Sequence, residues 1–460
     1  MSAYTCIVTR FSGDGIPTGA GRRKALRGHL APEWMTRDMQ LLIVARAFMS
    51  SGRALAGVVA PIYLAKIGFD GSELGILFAV TAIVSALLTG AVAFLSDRLG
   101  RKAFIIGVPL LAAAAGVVFA LTQNAAIIFV AAAAGSFGRG AGAAGGNIGP
   151  YQPAEQAYLA DSVAPQVRNS LFGRVAFASS LGAVVGVGVL AWIPDVAQAL
   201  GLGELNSYRP VFIVLAFVCL VAALLPLPIA PRRAVHPSGG KAPITLPRKS
   251  WRLLMRLGVT NGMNGLAIGF FGPFITYWFY TRFNAGPGTV GTLYALINVA
   301  SMASNLSAAS IADRLGVVKA IVVTRAVAAV MIVPMVLAPH FWLAGVVYFV
   351  RMMIQRVGLP LRQSYVMGVV PQEERAVVAG LSNLPAQGTS AATPAAAGYL
   401  FDHVSMSLPF EIGAGLQCLS AGVYWLFFRH VRPPEEAMQP VETRVPATRT
   451  ETGEVTAGGQ

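Results

Sequence analysis

The chain has 460 residues, 55% of them hydrophobic and only 12% charged, and its mean hydropathy is +0.63. A water-soluble domain carries about a quarter charged residues, so this composition excludes one and points to lipid as the solvent. The net charge of +15 would suit a nucleic-acid binder, but the placement of the basic residues argues against that partner.

Residues 1–38 contain Gly, Arg and Pro and no apolar core of a signal sequence. An unstructured tail without a cleavable signal is expected there, with Met35 a second candidate start. Apolar stretches then recur near 40–64, 72–95, 103–122, 125–148, 171–193 and 210–230. Six more follow near 253–280, 287–311, 319–337, 341–361, 376–400 and 407–429. Each is long enough to cross ~30 Å of hydrocarbon. The predicted fold is therefore an all-α membrane protein with twelve transmembrane helices in two pseudo-symmetric six-helix bundles. The bundles span 39–230 and 253–430, with a polar Pro/Gly-rich linker at 231–252 and a disordered tail at 431–460.

Counting outward from the first stretch, alternate gaps and both tails hold about 26 of the 35 Lys and Arg residues. This is the positive-inside pattern, so both termini are expected in the cytoplasm. The Ala-, Gly- and Arg-rich usage is compatible with a bacterial inner membrane. The basic excess thus reports topology, and no nucleic-acid partner is expected. Cys6, Cys219 and Cys418 are isolated and lack metal-ligand spacing. No phosphate-binding Gly-Lys-Ser/Thr loop and no nucleophile–base constellation occurs. Neither an enzyme nor a cofactor or metal is expected, and the chain is expected to act as a monomer.

The two halves repeat. Ala93-Phe-Leu-Ser-Asp97-Arg98-Leu-Gly100-Arg101-Lys102 returns 216 positions later as Ala309-Ser-Ile-Ala-Asp313-Arg314-Leu-Gly316-Val-Val-Lys319. Gly57 and Pro61 correspond to Gly269 and Pro273, and Gly75 corresponds to Gly291. Pro153-Ala-Glu155-Gln156-Ala-Tyr158 and Arg168 correspond to Pro360-Leu-Arg362-Gln363-Ser-Tyr365 and Arg375. Duplicated halves are the usual trace of a transporter whose binding site lies at the repeat interface.

On these residues the chain resembles the major facilitator superfamily of twelve-helix secondary transporters. Asp97, Arg98, Gly100, Arg101 and Lys102 match the family's Gly-x-x-x-Asp-Arg-x-Gly-Arg-Arg/Lys signature, with Ala93 in place of the leading Gly. The resemblance covers about residues 40–430. It implies a conformational latch built from Asp97, Arg98, Gly100, Arg101 and the copies Asp313 and Arg314. Asp97 stands at a helix C-terminus, where the dipole disfavours a carboxylate, so it needs a partner: Arg98, Arg101 or another helix N-terminus. The resemblance implies the N-terminus of the eleventh helix. In the fifth stretch, Gly182, Gly186 and Gly188 stand where family antiporters carry a Gly-Pro and a Gly pair, but Val187 replaces the Pro. Close helix packing explains these glycines equally well.

Arg53, Arg139 and Arg351 fall near the middle of the first, fourth and tenth stretches. A central Arg costs roughly 2.5–3.5 kcal/mol even on a lenient insertion scale. The resemblance implies that the first, fourth, seventh and tenth helices line a central cavity. Arg53, Arg139, Arg351, Asn264 and Arg46 are therefore the candidate substrate contacts, facing a small and anionic molecule. No acid falls near mid-helix in this reading, which leaves the arginines without a counter-ion. Bonds to backbone carbonyls, Asn or Ser are the alternative account. Glu155 and Asp161 become candidate proton carriers if the fourth helix runs deeper than 148. Tyr277, Trp278 and Tyr280 are expected at a membrane interface.

These features predict a secondary transporter working by alternating access, with export or exchange of a small organic anion as the leading function. A proton-coupled multidrug antiporter is the alternative, and a non-transporting membrane sensor of the same fold is the reading from another class.

Overall fold

The computed structural model describes residues 34–137, 149–164, 167–230, 250–370, 374, 378 and 381–429, all helical or in turns. Helix α1 (Arg37–Lys66) starts where the Thr36 side chain accepts from the Met39 N–H. Helix α2 (Gly71–Leu99) starts at a reciprocal cap: Asp70 accepts from the Glu73 N–H and Glu73 from the Asp70 N–H. It passes to α3 (Arg101–Leu121) through Gly100 alone, at φ 97°. Helix α11 (Pro287–Leu315) passes to α12 (Val317–Val330) through Gly316 at φ 79°. Both copies of the repeated loop thus need a residue without a Cβ, which is why the glycine recurs.

The remaining helices of the first half are α4 (Ala125–Ala134), α5 (Tyr151–Ala160), α6 (Arg168–Gly188), the short α7 (Ile193–Ala199) and α8 (Tyr208–Leu224). Those of the second half are α9 (Trp251–Phe271), α10 (Ile275–Phe283), α13 (Ile332–Leu337), α14 (Phe341–Val369), α15 (Leu384–His403) and α16 (Leu408–Phe428). The repeated prolines act differently. Pro61 lies inside the unbroken α1, whereas Pro273, preceded by the extra Gly272, falls in the break between α9 and α10.

Packing follows the repeat. In the first half α1 lies along α6, α8 packs on α1 and α3, and α2 and α3 flank α4 and α5. In the second half α9 lies along α15, α16 packs on α9 and α12, and α11 and α12 flank α14. Two crossings join the halves, α2 on α15 and α6 on α11. The result is an all-α fold of two repeat-related bundles. Among the described residues, five helical segments are long and apolar enough to cross a bilayer: Arg37–Lys66, Gly71–Ser96, Arg101–Leu121, Ser170–Ala199 and Val317–Leu337.

The halves meet at one end of the bundle, here the Gly71 end. One apolar core runs through both halves there, joining Leu55, Phe78 and Phe212 to Phe274, Trp278, Tyr348 and Phe401. The Phe78 ring stands edge-on to Phe274 across the boundary at 5.5 Å. Toward the opposite, Arg101 end, α2 and α15 are open around Gly90 and Gly388, where a Cβ would meet nothing within 4 Å. Phe94 of α2 is 75% exposed and Leu384 of α15 is 56% exposed. A separate cluster of Leu257, Ile321, Leu361, Tyr365 and Phe428 fills the second half there.

Tyr277 and Trp278 are buried within the core at the Gly71 end, against Phe401 and Phe410, which corrects the interfacial-belt expectation for them. Gly182 and Gly186 face the Ala47 and Ser51 carbonyls of α1 so closely that a Cβ at either position would overlap the carbonyl oxygen. Close packing is therefore their role. Gly182→Ala is expected to destabilise the protein by about 1–3 kcal/mol, as overpacking of a rigid neighbour does. Gly173→Ala, on the same helix with open space around it, is expected to be neutral or slightly stabilising. Thermal unfolding in detergent compares the two.

Candidate functional site

By sequence the fourth stretch ends at 148, with no acid near mid-helix; the structure adds a helix beyond that point. Pro150 opens a further helix, α5, and packing of that helix on α2 and α3 draws Glu155 fully inside. Its Oε2 accepts from Arg46 Nη1 on α1 at 2.5 Å. Arg46 Nε donates to Ser179 Oγ of α6 at 3.3 Å, and Ser179 and Ser50 share a hydrogen bond of 2.6 Å. The missing counter-ion is thus present for Arg46. The other oxygen, Oε1, and the neighbouring Tyr151 hydroxyl are buried and have no hydrogen-bond partner among the described residues. Glu155 is the only fully buried acid among the described residues.

Asp161 serves differently. It stands at the end of α5, 52% exposed in its side chain, and accepts from Arg101 Nη1 at 2.6 Å. The same guanidinium nitrogen donates to the Ala157 carbonyl at 2.9 Å, so Arg101 clamps the end of α5 to the start of α3.

Arg351 is 1% exposed on α14. Its Nε donates to the Ala328 carbonyl at 3.0 Å, its Nη2 to Gln417 Oε1 at 3.4 Å, and its guanidinium lies 4.5 Å from the Phe271 ring centroid. A carbonyl, an amide and a ring face together offset the cost of placing it there. This matches the alternative account of structural arginines.

Arg53 is half-buried on α1 beside the Gly149 turn, where a Cβ would stand 3.3 Å from Arg53 Nη1 and from Ser85 Oγ. Asn264 is half-buried on α9. Arg139 lies outside the described residues, and so do the side chains of Asp97, Arg98, Asp313 and Arg314. The structure therefore brings Arg46 together with Glu155 and holds Arg351 apart in the second half.

The repeat carries a charge inversion. Arg362, the counterpart of Glu155, donates from Nη1 to Asn261 Oδ1 of α9 at 3.2 Å, and Asn261 donates to the Ser382 carbonyl at 2.8 Å. Close by, Arg325 donates to Ser420 Oγ at 3.2 Å. An acid and a base thus occupy equivalent sites in the two bundles. The signal for Glu155 was present in the sequence, since it sits inside the Pro-x-x-Gln-x-Tyr repeat.

A two-fold repeated helical bundle with a buried ion pair in its first half defines a class: the membrane transporters built from duplicated halves. The major facilitator superfamily profile matches residues 42–260 and 257–456. The chain belongs to that superfamily. Among curated relatives, multidrug resistance protein MdtG of Proteus mirabilis is 24% identical over 328 residues, covering 67% of this chain and 75% of the relative. An uncharacterized membrane protein of Saccharomyces cerevisiae is 21% identical over 319 residues, covering 62% and 70%. The nucleoside transporter NupG has the same fold, with a TM-score of 0.67 at 12% identity over 86% of this chain and 100% of NupG. An inward-facing bacterial homolog of the lysosomal transporter Spinster gives 0.62 at 14% identity, covering 86% and 97%.

Removing one partner of a buried ion pair strands the other charge, at about 3–5 kcal/mol. Glu155→Ala is expected to lower stability on that scale. The double variant Arg46→Ala/Glu155→Ala is expected to recover part of the loss. A double-mutant cycle on thermal unfolding in detergent measures the coupling.

Proposed function

We propose that this transporter exports small, largely apolar molecules from the cytoplasm by alternating access, in exchange for protons, with Glu155 as the proton carrier. The observation that carries this reading is the buried Glu155, bonded to Arg46 through one oxygen while the other has no partner among the described residues. A carboxylate in that position can take up a proton at Oε1, and the gain dissolves the charge pairing with Arg46. Pair formation then belongs to the proton-released state. That state accompanies closure of the Gly71 end, which is the outer end if the basic loops face the cytoplasm. Release of cargo outside and protonation of Glu155 complete the exchange. The name of the Proteus mirabilis relative, a multidrug resistance protein, agrees with export of varied drug-like cargo.

Arg46 and Arg351 are engaged by protein groups, which weakens the anion-binding set expected from the sequence. Anion export remains the second reading, favoured by Arg325 and Arg362, whose named bonds go to neutral side chains.

The test is dye export from inverted vesicles or proteoliposomes under an imposed pH gradient. Glu155→Gln is expected to lose gradient-driven export of a lipophilic cation by about tenfold or more, the scale of losing a positioned proton-transfer group. Downhill exchange of the same dye is expected to survive. Gradient-driven export at the wild-type rate in Glu155→Gln refutes the assignment. Uptake of organic anions abolished by Arg362→Ala, with no cation transport in the parent, favours the second reading.

A further inference from the structure

We propose that Asp195 and Asp402 form a repeat-related pair of latches that hold the Gly71 end shut, each binding a helix N-terminus of the opposite half. The proposal rests on alternating access and is independent of cargo and of the proton assignment. Neither residue belongs to the signature loops, which lie at the other end of the bundle.

At the end of α15, Asp402 accepts from the Gly71 N–H at 3.0 Å, the Ser72 N–H at 2.6 Å and the Ser72 hydroxyl at 3.0 Å. The two N–H donors are unsatisfied first-turn groups of α2, where the helix dipole also favours an anion. In α7, Asp195 accepts from the Gly288 N–H at 2.9 Å, at the start of α11. Asp195 and Asp402 are 207 positions apart, while Ser72 and Gly288 are 216 apart, so both contacts are copies of one ancestral arrangement.

The backbones beneath each latch repeat as well. A Cβ on Gly75 would overlap the Pro394 carbonyl oxygen, and one on Gly291 the Val187 carbonyl oxygen; Pro394 and Val187 are again 207 apart. The Gly75 site also meets Gly398, and the Gly291 site meets Ala191. Bare backbone lets each helix pair close tightly enough for a carboxylate to reach the facing N-terminus.

The two latches differ by two substitutions. The position equivalent to Gly71 is Pro287, which has no N–H, and the position equivalent to Ser72 is Gly288, which has no hydroxyl. Asp195 therefore makes one of the bonds that Asp402 makes in triplicate. The Asp195 side is supported by Trp192 Nε1, which donates to Thr292 Oγ1 at 3.1 Å. Lys66 adds a further link, 5.7 Å from the Tyr280 ring of the other half. Opening of this end must break these contacts, and the stronger latch is Asp402.

The experiment is a pulsed-EPR distance measurement between spin labels at Asn206→Cys and Ser405→Cys, exposed residues on opposite halves at this end. Cys6, Cys219 and Cys418 are replaced by Ser in the parent. Asp402→Ala is expected to raise the long-distance population by about tenfold, and Asp195→Ala by only a few-fold, as charge-assisted bonds of this number imply. An unchanged distance distribution in Asp402→Ala and in the double variant, in monodisperse protein, overturns the proposal. If Asp402→Ala does not fold, Asp402→Asn with Ser72→Ala is read in the same way. Equal effects of the two single variants overturn the ranking. Because no cargo or proton gradient is used, failure of the Glu155 assignment leaves this result standing.

Discussion

Helices in lipid have no hydrophobic force pressing them together, so their association depends on how closely two backbones can approach. In this protein that constraint is met at a few glycines. Gly182 and Gly186 let α6 lie against α1, while Gly75, Gly398 and Gly291 let the halves cross. The apolar core shared by both halves exists at the Gly71 end because those crossings bring its aromatic side chains within reach of one another. At the opposite end, Phe94 and Leu384 lack that cover.

The second constraint is the handling of charge inside the bundles. An unpaired arginine or carboxylate there is costly, and the chain answers in two ways. The first half pairs Arg46 with Glu155 and braces the pair with Ser179 and Ser50. The second half surrounds Arg351 with a carbonyl, an amide and an aromatic face, and gives Arg325 and Arg362 neutral partners. The halves share a backbone plan but differ in electrostatics. Among the described residues, only the first presents a fully buried carboxylate.

The charged groups at the Gly71 end are of another kind. Asp195 and Asp402 each accept from a helix N-terminus of the opposite half, whose N–H groups lose that partner if the halves part. Lys66 and Glu204 pair at the same end, which holds the Glu204 carboxyl below its ordinary range. An exposed pair of that sort adds little by itself. In the proposed cycle the buried pair changes charge and the capped helix ends change partners.

Much of this was legible in the chain itself. Apolar stretches of bilayer length, the twice-occurring Asp-Arg-Leu-Gly loop and the paired Gly and Pro positions determine a duplicated helical bundle, because each reflects local length, composition or backbone freedom. Gly100 and Gly316 both take positive φ in that loop. Depth and partnership were not legible. Tyr151–Ala160 is polar enough to read as a loop, and only packing on α2 and α3 buries Glu155 beside an arginine 109 residues away. Trp278 looks like an interface anchor by composition, yet it is buried against Phe283 and Phe410 of its own half. Asp195 carries no local mark, and its meaning appears only when α7 stands over the first turn of α11. Hydropathy and repeats are properties of neighbours in sequence, whereas the state of a buried charge is fixed by neighbours in space.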